Sequence, residues 1–338
     1  MDLDGDGYPD LTSGSWPGEI FFFRGGPGHT FAAPEMLKDK NGETINIGGG
    51  IRKEAGGAML ITGHGEFEQT KEGTFVKYHG KRIKSSDDTP ISVTGTASAV
   101  HAVDWDGDGK IDLLVGDIGG NVYLIPNEGT SKEYAFGKHR HLQAGGKPIR
   151  VEGDAGPFAV DWDGDGRIDL LVGSGDGSVW FYRNIATGKV PELAAGVRIV
   201  PPGDAAFGPD APKEPRRGIR SKVCAVDWDG DGRLDLLVGD FATQKPNLPE
   251  LTPAQKAEHD KLRKERESLM TRYRELIDKI HGANRVKDPK ERQKMQDEFR
   301  KVSARMQEIY AKLPPEYENH GWVWLFLRKP GTAKVSAR

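Results

Sequence analysis

Four copies of one acidic loop constrain this 338-residue chain more than any other feature. The sequence Asp-Trp-Asp-Gly-Asp-Gly runs from Asp104 to Gly109, from Asp161 to Gly166 and from Asp227 to Gly232, and a variant, Asp2-Leu3-Asp4-Gly5-Asp6-Gly7, opens the chain. Each copy continues through a variable residue and then Ile, Leu or Pro to a fourth acid: Asp10, Asp112, Asp169 and Asp235. The three internal copies then read Leu-Leu-Val-Gly. Self-similarity of this kind marks a repeat architecture, and the rest of the chain is read in its frame.

Carboxylates at positions 1, 3, 5 and 9 of a nine-residue loop repel one another unless a cation joins them. Hard oxygen donors without His or Cys select calcium, which takes six to eight oxygens in a flexible shell. Glycines at positions 4 and 6 let the loop wrap through positive φ without a Cβ penalty. Position 7 (Tyr8, Lys110, Arg167, Arg233) offers a backbone carbonyl, which leaves its side chain free to vary. The competing reading is a solvated acidic turn, and four equal spacings favour the metal. An EF-hand is a poor fit, because its loop ends in a bidentate Glu at position 12 between two helices. Here position 12 is Ser13, Val115, Val172 or Val238, and the flanks are β-rich runs, so each loop closes a long hairpin.

The pattern DxDGDGxxDLLVG resembles the FG-GAP/VCBS repeats of integrin-α-like proteins. That resemblance implies an all-β fold, a β-propeller built of four-stranded antiparallel blades, with calcium held between the first two strands of a blade. Carried over by position, it implies the ligands Asp2, Asp4, Asp6, Tyr8 and Asp10; Asp104, Asp106, Asp108, Lys110 and Asp112; Asp161, Asp163, Asp165, Arg167 and Asp169; and Asp227, Asp229, Asp231, Arg233 and Asp235, with Tyr, Lys and Arg acting through their carbonyls. About four calcium ions are expected, one per loop. The likeness covers the chain apart from about residues 245–315. It speaks to fold and leaves function open, since propellers host many functions.

Composition agrees with many short strands and tight turns: 45 Gly, 21 Pro and 36% hydrophobic residues. A net charge of −3 is too balanced to imply a nucleic-acid partner. The single cysteine, Cys224, excludes an internal disulfide framework and reads as a small buried strand residue. No apolar run reaches the length of a membrane span, and no signal peptide is visible. Millimolar calcium nonetheless points to an extracellular, periplasmic or cell-surface location. Met1 falls where Val103, Val160 and Val226 stand in the other repeats, so the first repeat is expected to lack its opening strand and the natural chain to extend further upstream.

Strand patterns recur after each loop: Gly18–Arg24, Gly120–Pro126, Gly177–Arg183 and Gly321–Leu327. Their near-continuous apolar runs suit strands covered on both faces. Trp105, Trp162 and Trp228 are read as core between blades rather than sugar platforms, since alternation puts each on the side of its preceding Val. The propeller is expected over residues 1–250 and 315–338, with 46–95 as a degenerate blade holding strands near Met59–Thr62 and Thr74–His79. The Pro-rich run 201–215 reads as a loop.

Residues 251–314 interrupt the last blade. Thr252-Pro253 and Asp288-Pro289 are helix starts, with an N-cap followed by Pro at the first helical position. Leu262, Leu269, Tyr273, Leu276 and Ile280, and then Met295, Phe299, Val302, Met306, Ile309 and Leu313, follow heptad spacing. Gly282-Ala283-Asn284 supplies the turn of an inserted antiparallel α-helical hairpin. Its first helix would run roughly 40 Å and should leave the blade at the end away from the acidic loops. From Thr252 to Lys312 there are 17 basic and 11 acidic residues, against 31 and 40 elsewhere. The hairpin is therefore read as a net-positive, partner-binding projection on a net-negative body.

These features favour a non-enzymatic calcium-binding propeller in extracellular binding, adhesion or scaffolding, with a protein or glycan ligand. The alternatives are a polysaccharide lyase or hydrolase, or a lectin offering Trp16 in the loop Gly14–Gly18. Against an enzyme, the nine histidines are scattered and no nucleophile has an evident partner. His139 and His141 lie two apart and are read as an exposed strand pair rather than a metal site. Glu66, Glu68 and Glu72 with His64 and His79 form the remaining polar cluster.

Overall fold

The computed structural model describes residues 1–48, 50–53, 57–62, 65–78, 80–86, 89–204, 210–281 and 286–329. Two compact units emerge: Met1–Ala205 with Arg216–Ala242 and Asn319–Arg338, and Ala206–Pro215 with Thr243–Glu318.

In the first unit, apolar β-prone runs form antiparallel sheets in chain order. Leu11–Gly14, Ile20–Phe23 and Glu35–Met36 make a three-stranded sheet. Ala99–Val103, Asp112–Gly116, Val122–Ile125 and Arg140–His141 make a four-stranded second sheet. Gly156–Val160, Asp169–Gly173, Val179–Tyr182 and Val197–Val200 make the third. The fourth pairs Ile219–Val226 with Asp235–Gln244, which in turn pairs with Val323–Phe326 and Glu318–His320. Each of the three internal acidic loops joins two antiparallel strands, in the registers Val103↔Asp112, Val160↔Asp169 and Val226↔Asp235. The hairpin expectation is met in all three.

The four sheets stack face on face. Ile20, Phe22 and Leu37 of the first pack against Leu113, Val115 and Ile125 of the second. Trp105, Leu114, Val122 and Leu124 of the second pack against Leu170, Val172 and Tyr182 of the third. Leu171, Val179 and Phe181 of the third meet Leu236 and Val238 of the fourth. Covered on both sides, the Asp-Leu-Leu-Val-Gly strands of the second and third sheets are buried at every residue. The glycine ending that motif is a matter of space. A Cβ on Gly14, Gly116 or Gly173 would lie 2.1 Å from the Ser98 carbonyl, 2.1 Å from that of Ala155 and 2.2 Å from that of Ser221, at the entry to the next sheet. Trp105 and Trp162 sit in or against these inter-sheet cores as expected, whereas Trp228 is 60% exposed.

Residues 46–95 depart from the expected degenerate blade. The strands at Met59–Thr62 and Gly73–Tyr78 are present, but they belong to two separate three-stranded sheets. One of these pairs Ile91–Thr94 with Met59–Thr62 in parallel, which an up-and-down blade does not contain. Ile61, Val76, Tyr78 and Ile91 give this segment a small core of its own. The first and second stacked sheets meet directly, without it between them.

The second unit is the helical hairpin. Helix α1 spans Pro253–His281 and helix α2 spans Pro289–Lys312. Thr252 Oγ1 accepts from the Gln255 amide while Gln255 Oε1 accepts from the Thr252 amide, a reciprocal capping box. Asp288 caps α2 by accepting from the Lys290 and Glu291 amides at 2.7 and 3.2 Å. The apolar stripe is consumed between the helices: Leu276, Ile280, Val302 and Met306 are buried together, with Tyr273 against Phe299. Arg272–Glu298 and Arg305–Glu265 bridge the helices with two hydrogen bonds each. The turn at 282–284 lies outside the described residues.

Candidate metal centres in the acidic loops

Position 1 of each loop shapes the turn. Asp104 accepts from the amides of Asp108 (Oδ1) and Gly109 (Oδ2), both at 3.0 Å. Asp2, Asp161 and Asp227 make the equivalent pair of bonds. Position 5 then accepts from the amide of position 7, as in Asp108 from Lys110 and Asp6 from Tyr8. Gly107 and Gly109 carry φ of 69° and 85°, and a Cβ on either would meet nothing within 4 Å, so backbone conformation rather than crowding requires glycine there.

Position 9 is a staple across the base of the loop. Asp112 accepts from the Trp105 amide on Oδ2 and from the Asn127 amide on Oδ1. Asp10 holds Leu3 and Gly25, Asp169 holds Trp162 and Asn184, and Asp235 holds Trp228 and Arg328 in the same way. Each ties the loop to the chain just past the strand that pairs with the one leaving the loop, beyond Phe23, Ile125, Tyr182 or Phe326. Burial pushes the Asp112 and Asp169 carboxyls up to about 6, and loop carboxylates nearby add to the shift. Asp235, in the sheet with one face uncovered, is instead lowered, chiefly by its bond from the Arg328 amide.

The carboxylates converge as the spacing requires. Asp2, Asp4 and Asp6; Asp104, Asp106 and Asp108; Asp161, Asp163 and Asp169; and Asp227, Asp229 and Asp231 each bring one oxygen per residue within 4.8 Å of the others. Asp10, Asp112, Asp235 and Asp165 stand outside these groups. Position 3 contributes oxygens that nothing in the protein satisfies: Asp106 Oδ1 and Asp163 Oδ1 are buried without a hydrogen-bond partner. A buried, unpartnered carboxylate oxygen beside two other carboxylates is costly unless a cation reaches it. An all-oxygen donor set with orphaned buried oxygens fits a hard divalent ion.

Basic side chains also enter the loops, which the spacing argument did not anticipate. Lys110 pairs with Asp108 at 2.7 Å, and Arg167 and Arg233 pair with Asp165 and Asp231. Arg183 reaches both Asp163 and Asp165, and Arg24 reaches Asp4. The hydrogen bond from Lys110 holds the Asp108 carboxyl below its usual range and raises the lysine. Arg24 and Arg183 occupy one repeat position, the last residue before the amide held by position 9. That shared place in the sequence was the available signal.

The other candidate residues take ordinary roles. Tyr123 contacts both His139 and His141, its ring 4.6 Å from the latter. Among the described residues, every group of three or more acids or histidines close enough for a metal lies in the acidic loops. Glu68 pairs with Arg82 at 2.7 Å, while His64 and His79 lie outside the described residues. Trp16 is 57% exposed, as expected of its loop, and lines a cleft of about 610 Å³ with Asp154, Arg220, Lys222 and Trp322. No helix among the described residues is long and apolar enough to cross a membrane.

Residues 161–238, which hold the third and fourth loops, match the family model of the FG-GAP-like repeat. No curated protein matches the chain. Among solved structures the chain is similar to an Agrocybe aegerita lectin described for specific recognition of non-reducing terminal N-acetylglucosamine. The two share 18% identity over 71% of this chain and 61% of the lectin, with a TM-score of 0.29, too loose a match to carry an argument.

Proposed function

We propose that the chain is a calcium-binding array of FG-GAP-like repeats, arranged as propeller blades and acting as a non-enzymatic binding scaffold outside the cytoplasm. The observation that carries the metal is the pair of orphaned position-3 oxygens inside converging carboxylate groups. Positions 1, 3 and 5 would hold the ion in the first, second and fourth loops, and Asp161, Asp163 and Asp169 in the third. When bound, calcium supplies neutralisation of each acidic cluster. The chain's own residues shape the pocket: position 1 fixes the turn, position 9 fastens it to the sheet, and the basic side chains hold the acids until an ion displaces them.

Propeller arrangement is supported by four antiparallel sheets stacked in chain order through equivalent faces. Calcium of extracellular concentration suits the affinity expected of such loops, on the order of 10⁻⁴–10⁻³ M. The ligand is read as a protein or a glycan. The net-positive hairpin suits an acidic partner. A glycan reading draws on the cleft where the exposed Trp16 ring stands with Asp154, Arg220 and Lys222. Titration calorimetry of the chelator-stripped protein tests the metal assignment: about four calcium ions are expected, one per loop, and a flat thermogram would end this reading.

A further inference from the structure

The second unit holds an open groove at the foot of the helical hairpin, beside the seam in which the helices bury their apolar stripe. Two prolines build it. Pro314 and Pro315 cannot continue α2, and a residue before proline is pushed into extended backbone, so Leu313 ends the helix at φ −93° and ψ 138°. The chain that follows lies against α1, where Glu316 Oε1 accepts from Arg266 Nη2 at 2.7 Å. One cleft of about 800 Å³ opens between α1 and the chain leaving α2. A second, of about 470 Å³, is walled by Pro246, Leu248 and Pro249 of the chain entering the hairpin. The two clefts share Pro314, Pro315 and Glu316.

The lining combines apolar surface with positive charge. Tyr310, Tyr317 and Leu248 are 50%, 42% and 45% exposed, with Met270 and Leu313 half-buried beside them. Tyrosine, methionine and arginine are enriched where proteins bind one another. Arg263, Arg266, Arg274 and Lys245 set four positive charges against Glu267 and Glu316. Those charges are lightly held. Arg263 pairs with the exposed Asp260 at 3.4 Å, a kind of contact that contributes little. Arg274 is exposed and has no ion pair among the described residues. Spacing then limits what fits. Arg263, Arg266, Met270 and Arg274 fall three or four residues apart, on one stripe of α1. From Arg263 to Arg274 the helix rises roughly 16 Å, the length of about five residues of extended chain.

We propose that this groove binds an extended acidic peptide segment of about five residues laid along α1. An apolar side chain of the segment sits between Tyr310 and Met270, and carboxylates on either side of it meet Arg274 at one end and Arg263 and Arg266 at the other. Glu316 is the placeholder, occupying Arg266 until a carboxylate of the peptide takes its place. An anionic polysaccharide is a poorer occupant, because Met270, Leu313 and the two prolines give sugar hydroxyls nothing to bond. The inference rests on the reading of the hairpin as suited to an acidic partner, and it names the site and the partner's chemistry. It is independent of the metal.

The test is fluorescence anisotropy of a labelled peptide, Asp-Glu-Phe-Glu-Asp, titrated with the full chain at physiological salt. Saturable binding is expected, and Ser in place of the peptide's Phe should weaken it about tenfold, the order of one anchoring side chain. Arg274→Glu and Tyr310→Ala should each weaken it by about the same factor. Glu316→Gln should tighten it about threefold by releasing Arg266, a gain that a misfolded variant cannot give. Lys301→Glu, the same charge change on α2 outside the groove lining, should leave the affinity within about twofold. A peptide that fails to bind, or that binds equally well with Ser in place of Phe, would overturn the proposal. So would stronger binding of a labelled heparin oligosaccharide with the same dependence on Arg274. Binding weakened as much by Lys301→Glu as by Arg274→Glu would keep an acidic partner for the hairpin but remove it from the groove.

Discussion

Asp106 and Asp112 stand six residues apart in one loop and should respond to substitution in opposite ways. Asp106 keeps a buried oxygen with no partner, next to Asp104 and Asp108. Asp106→Asn should therefore stabilise the calcium-free protein by about 1 kcal/mol, the scale of one like-charge contact at 4 Å in water, while lowering the calcium stoichiometry by one. Asp112 holds two backbone amides across the loop base. Asp112→Ala should cost about 3 kcal/mol with or without calcium, because both donors lose a buried charged acceptor. Urea midpoints in chelator and in calcium separate the two cases. The same carboxyls set a pH dependence. Asp112 and Asp169 titrate near 6 in the fold, above their ordinary 3.8. Their protonated forms thus favour the calcium-free fold at low pH, and that contribution is lost as pH rises through about 6. An arriving cation would displace the proton from Asp169, which stands in its loop's converging group, and would disfavour the proton on Asp112 through its charge, so the rise in melting temperature given by a fixed free calcium concentration should be larger at pH 7.5 than at pH 5. Which carboxylates converge in each loop was legible in the sequence because spacing fixes which residues share a loop. The pairing of Arg183 with Asp163 and Asp165 was not, because it depends on a side chain returning from the third strand of the sheet.

At the scale of elements, what is local was readable and what depends on distant pairing was not. The helix starts at Thr252 and Asp288 cap through residues within three positions, and both appear as read. The strands at Met59–Thr62 and Gly73–Tyr78 were also found by pattern, yet their assembly was missed. A parallel partner such as Ile91–Thr94, some thirty residues on, leaves no mark in local alternation. The hairpin interrupts a turn that the third sheet makes between Gly173 and Val179. Gly239 still pairs with Val323 across it. Replacing Leu251–Pro314 by a Gly-Asn turn should therefore leave calcium stoichiometry intact while removing most of the helical circular dichroism signal. Loss of calcium binding in the shortened protein would show that the helices support the sheets.

For the whole molecule, burial was the least readable property. Trp105 and Trp228 sit in the same six-residue motif, yet one is buried and the other 60% exposed, because only one has a sheet laid over it. Sequence fixes which face of a strand is apolar; a neighbour decides whether it is covered. The metal reading is likewise collective, since four loops of like charge are fastened to the same stack of sheets. A cation that binds only the folded state raises its stability by mass action. The most direct measurement is thermal unfolding of the intact chain in EGTA and in increasing free calcium at pH 7.5. The melting temperature should climb continuously through the millimolar range and return to its starting value on chelation. A melting curve that stays in place from EGTA to 10⁻² M calcium, well above the expected affinity, would contradict the assignment of these loops as calcium sites.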